Sequence, residues 1–142
     1  VNILDFGHKV LGLTYTPVQA MILGASRGEE LTPQQAVLFE RHAGRPWPGP
    51  SDPPAEVVAV LGRQCGKTGF IVPTIALHAA TVADLPPGYQ RDILCVAPTL
   101  RQARILFGRL RGLVASRPQL RRYLKTETQH EIELDFGVRI GV

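Results

Sequence analysis

The chain has 142 residues, of which 44% are hydrophobic and 20% charged, and carries a formal net charge of +4. That balance is ordinary for a soluble globular chain long enough to bury one core. No apolar run approaches the ~20 residues of a membrane span. The positive balance permits an anionic partner without requiring one. The two cysteines, Cys65 and Cys95, lack metal-ligand spacing, which favours a reduced setting.

The chain opens on Val1, so the expectation is either a rare start codon or a cut N-terminus. Val1 to Leu13 includes Asp5, His8 and Lys9 and does not read as a signal peptide. Thr16-Pro17-Val18-Gln19 and Thr32-Pro33-Gln34-Gln35 each predict a helix start. Thr is the N-cap, Pro the first helical residue, and Gln closes a capping box. A sharper reading is that Gln19 or Gln35 hydrogen-bonds an adenine edge, since an amide donates and accepts at once. Residues 1–45 are expected to be a helical segment. Residues 46–54, in the run Arg45-Pro46-Trp47-Pro48-Gly49-Pro50-Ser51-Asp52-Pro53-Pro54, form a linker, because proline suits neither helix nor ladder. Trp47 is expected to pack this linker onto the body. Residues 55–142 are expected to form a partial nucleotide-binding domain.

Val57-Val58-Ala59-Val60-Leu61 has the length and character of a strand, and Gly62-Arg63-Gln64-Cys65-Gly66-Lys67-Thr68 follows it. Phe70, Ile71, Val72, Ile75, Ala76, Leu77 and Ala80 then continue as a predicted helix. Strand, loop, Gly-Lys-Thr, helix is the layout of a phosphate-binding loop. Backbone N–H groups would wrap the phosphates at a helix N-terminus. Gly66 would permit close approach. Lys67 would reach the outer phosphates, and Thr68 would offer its hydroxyl to Mg²⁺. The first glycine of the usual pattern is missing: Leu61 stands there, and Gly62 comes one residue late.

Asp84 to Gln90 reads as a loop, and Ile93-Leu94-Cys95-Val96-Ala97 as a strand buried on both faces. Strand, helix, strand, helix predicts a mainly parallel sheet flanked by helices. A helix is expected from Leu100, with Ala103, Leu106, Phe107, Leu110 and Leu113 or Val114 on its buried side. Arg101, Arg104, Arg109, Arg111, Arg117, Arg121, Arg122 and Lys125 occur with no acid between Ile93 and Thr126. This is either a solvated face or a surface for phosphate backbone. Glu131 to Val142 alternates about Gly137 and predicts a β-hairpin, with Asp135-Phe136-Gly137 as its turn. His8, His42, His78 and His130 show no metal spacing.

These stretches together resemble the N-terminal ATPase part of a bacteriophage terminase large subunit. The loop Gly62 to Thr68 is similar to that family's Arg-x-x-Gly-Lys-[Ser/Thr] form. Leu94-Cys95-Val96-Ala97-Pro98-Thr99 with Arg101-Gln102-Ala103-Arg104 resembles its second strand and helix. Glu131-Ile132-Glu133-Leu134-Asp135-Phe136-Gly137 resembles its hairpin, and Leu13-Thr14-Tyr15-Thr16-Pro17-Val18-Gln19 its adenine segment. The resemblance implies a P-loop NTPase fold, α/β, with an incomplete core. It implies ATP and Mg²⁺ as cofactors and Lys67 and Arg63 as catalytic residues. Gly62, Gln64, Cys65, Gly66, Lys67, Thr68 and Gln19 would hold nucleotide, with Thr68 on the metal. It further implies double-stranded DNA, a portal protein and a small terminase subunit as partners, a homo-oligomeric ring, and a host-cytoplasmic location with transient docking on the procapsid. No apolar run ends in the Asp-Glu pair such an ATPase needs, so the chain is expected to be a fragment lacking it. Two other readings stay open. One is a superfamily 2 helicase-like NTPase, which Ala97-Pro98-Thr99 resembles. The other is a non-catalytic basic module that binds DNA or a partner protein.

Overall fold

The computed structural model describes residues Val1–Val142. The chain is mixed α/β and divides into two compact units, Val1–Ile75 and Ala76–Val142.

The first unit is helical. Helix α1 (Ile3–Lys9) starts where the Asn2 side chain accepts the Asp5 N–H. The Ile3 N–H donates to Glu29 Oε1 at 2.8 Å, which ties that start to the loop after the second helix. Helices α2 (Pro17–Ser26) and α3 (Pro33–Ala43) both begin with the expected capping box. In each, the Thr side chain accepts the Gln N–H and the Gln side chain accepts the Thr N–H, so two orphan donors are satisfied locally. Ile3, Leu23 and Ile71 are buried together, with Leu4, Tyr15, Ile22, Leu61 and Ile75 packed around them.

The proline-rich stretch forms neither helix nor strand. It is pinned at Gly28, whose φ is 65° and where a Cβ would collide with the Ser51 carbonyl. The Ser51 N–H donates to the Gly28 carbonyl at 2.9 Å. The Trp47 ring meets Phe39 edge-on at 4.8 Å, so Trp47 does pack this stretch onto α3.

Val57–Leu61, expected as a strand, joins no ladder. Val58 and Val60 are 79% and 97% exposed, because the run lies extended without a pairing strand. The predicted helix after Thr68 does form. It opens as a π turn (Lys67–Ile71) and continues as α4 (Val72–Thr81).

The second unit holds the sheet. Its strands are β1 (Arg91–Leu94), β2 (Leu124–Glu127), β3 (Glu131–Leu134) and β4 (Val138–Gly141), in the order β1-β4-β3-β2. Only β1 and β4 are parallel; β3 runs antiparallel to both β2 and β4. The sheet is therefore mostly antiparallel, not mainly parallel as its rhythm suggested. The meander β2-β3-β4 makes most of it from local connections, and β1 adds to one edge. Ile93–Ala97 was expected to be buried on both faces, but β1 has a partner on one side only. One face of the run is also uncovered: Cys95 is buried, while Leu94 and Val96 are 69% and 85% exposed.

Alternation is clean elsewhere. Ile132, Leu134, Val138 and Ile140 are buried, while Glu131, Glu133 and Arg139 face outward. Helix α5 (Leu100–Ser116) supplies Ala103, Phe107, Leu110, Leu113 and Val114 to the interior, as its spacing predicted, while Leu106 is only half-buried. A short helix α6 (Pro118–Arg121) follows. Asp135-Phe136-Gly137 is the hairpin turn. Gly137 has φ 77°, and a Cβ there would sit 2.9 Å from the Tyr89 carbonyl. Across the strands, Lys125 reaches Glu133 at 2.6 Å and Arg139 reaches Asp92 at 2.9 Å.

Two side chains far apart in sequence also lock together in the first unit. The Tyr15 hydroxyl and the Thr74 hydroxyl are 2.7 Å apart, and Thr74 donates to the Phe70 carbonyl at 2.6 Å. Burial pushes the Tyr15 hydroxyl above its ordinary range, and the Thr74 bond pulls the other way. A raised folded value means the stability is fully present below the ordinary tyrosine range and is lost as pH rises through the raised one. Tyr15→Phe should cost about 1 kcal/mol at neutral pH. It should also flatten the alkaline decline in stability, measured by urea unfolding from neutral pH to about pH 11. An alkaline decline as steep in the variant as in wild type would contradict this role.

Candidate phosphate-binding loop

The loop Gly62–Thr68 lies between the extended run and the π turn, within the first unit. Two of its residues are left-handed: Gln64 with φ 58° and Gly66 with φ 84°. Gln64 is the one non-glycine residue of the chain with positive φ, and Cys65 between the two has negative φ. Alternation of right- and left-handed residues is the kind of backbone that can turn successive N–H groups toward one side, as in anion-binding nests. The N–H groups of Gln64, Cys65, Gly66, Lys67 and Thr68 donate to no acceptor in the protein. The next donors, Phe70 and Ile71, bond back to the Gly66 carbonyl at 2.8 and 3.2 Å, which starts the helix.

Charge supports the same use. Lys67 and Arg63 are exposed, and no acidic residue occurs between Glu56 and Asp84. The Lys67 ammonium donates to the Gly62 carbonyl at 3.2 Å, which holds it against the start of the loop. Thr68 is half-buried and its hydroxyl makes no hydrogen bond in the protein, so it is free to ligate. Cys65 is a free thiol, half-buried in the loop.

Gln19 is brought to the loop and Gln35 is not. The Gln19 Oε1 accepts the Thr16 N–H at 3.0 Å, while its Nε2 donates to the Cys65 carbonyl at 2.8 Å. Gln35 makes the cap bonds alone. Thr16, Val18, Gln19, Ile22, Leu61, Gln64, Cys65 and Ile71 enclose a cavity of about 240 Å³ beside the loop. A second, larger hollow of about 430 Å³ lies between α2, α3 and the run Val57–Gly62.

No group of three or more His, Cys, Asp and Glu side chains is placed to hold a metal ion. Of the hairpin carboxylates, Glu133 is taken up by Lys125 and Thr126. Its carboxyl is held below the usual range by the Lys125 hydrogen bond first of all. Asp135 is exposed on the turn.

The left-handed Gln64, the Gln19 tie to Cys65 and the Tyr15–Thr74 lock were not anticipated from the sequence. The repeated Thr-Pro-x-Gln motif signals a cap, and nothing local separates the copy that meets the loop from the copy that does not. Comparison with protein-family models, curated proteins and solved structures returned no match.

The loop's two glycines are unequal. A Cβ on Gly66 would lie 2.5 Å from Gln19 Nε2 on a left-handed backbone, whereas one on Gly62 meets nothing. Gly66→Ala should destabilise the first unit by about 1–2 kcal/mol, and Gly62→Ala by a few tenths at most. Chemical denaturation of the two variants side by side checks the contrast. Equal losses would mean that the loop is not held as described.

Proposed function

We propose that the loop binds the phosphates of ATP, and that the chain is the ATP-binding part of a terminase-like DNA-packaging ATPase. The observation that carries the phosphate site is the run of acceptor-free N–H groups from Gln64 to Thr68, with Lys67 and Arg63 beside it. A polyphosphate supplies the acceptors these donors lack, in a segment with no competing carboxylate. Lys67 would leave the Gly62 carbonyl for the outer phosphates. Arg63 would stand near the γ-phosphate.

The residues fit Mg²⁺ in part. Thr68 can give one oxygen, and phosphate oxygens and water would complete the shell, as this ion commonly allows. When bound, Mg²⁺ would supply positive charge that offsets the charge of the phosphates. The cavity beside Gln19 is the place for the base. In the larger assembly implied by the resemblance, hydrolysis would move double-stranded DNA. A portal protein, a small terminase subunit and further copies in a ring would be its partners.

Helix α5 supports a nucleic-acid partner. Arg101 and Arg104 are exposed, lie one turn apart and form no ion pair, while Arg111 is bound to Glu127 at 3.2 Å. The same helix would serve a non-catalytic basic module, and nucleotide binding separates the two readings.

Lys67→Ala should abolish Mg²⁺-ATP binding in calorimetry while leaving the unfolding curve unchanged. Equal affinity in variant and wild type would end the phosphate-loop reading. The double variant Arg101→Ala/Arg104→Ala should weaken duplex DNA binding. It should also lower the slope of log affinity against log salt by about 2. An unchanged slope would remove α5 from the DNA surface.

A further inference from the structure

Gln19 makes two bonds that do different things. Its Oε1 accepts the Thr16 N–H and closes the cap of α2. Its Nε2 donates to the carbonyl of Cys65, the residue between the two left-handed positions of the loop. The same nitrogen lies where a side chain on residue 66 would have to go. The loop backbone is thus tied to the first turn of α2 by one amide, and Gly66 is the residue that lets the amide in.

The extended run before the loop cannot do this work. It joins no sheet, and its valines stand in solvent, so no ladder holds the loop from that side. Each peptide plane carries one carbonyl and the next residue's N–H on opposite sides. Fixing the Cys65 carbonyl on Gln19 therefore turns the Gly66 N–H the other way, away from Gln19. One side-chain bond orients a donor of the phosphate nest.

We infer that Gln19 is a positioning residue for the phosphate loop, acting through the Cys65 carbonyl to hold the loop's N–H groups in their anion-binding arrangement whether or not a base is present. The inference rests on the phosphate-loop reading, and it differs from an adenine-reading role for the same side chain. Each end of the Gln19 amide already makes one bond within the protein, which fixes its orientation. A base reader would contribute nothing to a ligand without a base.

The second capping box supplies the control. Gln35 makes the same two cap bonds and touches no loop. The test is calorimetric titration of the full chain with Mg²⁺-ATP and with Mg²⁺-tripolyphosphate, which has no base. Gln19→Ala should weaken both ligands to the same extent, about tenfold, and Gln35→Ala neither. A loss confined to ATP would make Gln19 a base reader and overturn the inference, as would unchanged affinity for both. Absence of binding by wild type would remove the phosphate site itself, and the inference with it.

Gln19→Glu keeps the cap acceptor and lacks the donor, so it tests the tie even where the alanine variant fails to fold. The Phe70 and Ile71 amides, which are bonded to the Gly66 carbonyl, should exchange with solvent faster while α2 keeps its wild-type protection. Unchanged exchange at those two amides would also overturn the inference.

Discussion

Gly66 is the constraint on which the candidate site depends. Its left-handed backbone ends the loop and begins the π turn. Its missing side chain admits the Gln19 amide. Its carbonyl accepts the first two helical donors, Phe70 and Ile71. Any other residue would meet a conformational cost of about 1–2 kcal/mol and a steric one together. Loop shape, helix start and the tether from α2 thus converge on one position.

What was legible in the sequence was what is local. The two capping boxes form because Thr and Gln three residues apart satisfy each other's backbone donors whatever surrounds them. The buried stripe of α5 follows from its own period, and the hairpin from alternation about Gly137. Pairing between distant segments was not legible. Val57–Leu61 and Ile93–Ala97 have the composition of buried strands, but composition does not say whether a partner lies alongside. One run joins no ladder and the other forms a shorter edge strand. A βαβα rhythm suggested parallel order, yet the short connections after Leu124 favour antiparallel neighbours, and those make most of the sheet.

The site divides the same way. That Gly66, Lys67 and Thr68 stand where a loop passes into a helix was readable, because an apolar helix-forming run follows them. The choice between Gln19 and Gln35 was not, since it depends on which cap faces a loop some 46 residues further on. The basic stretch after Pro98 was visible as composition. Which of its arginines are engaged by other side chains depends on folding. Arg111 is claimed by Glu127, and Arg122 lies over the Tyr123 ring, whereas Arg101 and Arg104 remain for an anion.

The exposed valines bear on how the loop is held. A valine withdrawn from water contributes about 1.5–3 kcal/mol, and Val58 and Val60 contribute little of that. The strand before a phosphate loop ordinarily stiffens it through ladder bonds on both sides. Here that support is absent, and Leu61 is the residue of the run that packs with the Ile3–Leu23–Ile71 cluster. The loop is therefore anchored at three points: Leu61 at its start, Cys65 through Gln19 at its middle, and Gly66 at its end. Removing the middle anchor leaves two hinges around Gln64, whose left-handed backbone costs energy to maintain. The strained residue keeps its conformation only as long as its neighbours over-determine it. That is the physical reason why an amide on a separate helix can govern the shape of the loop.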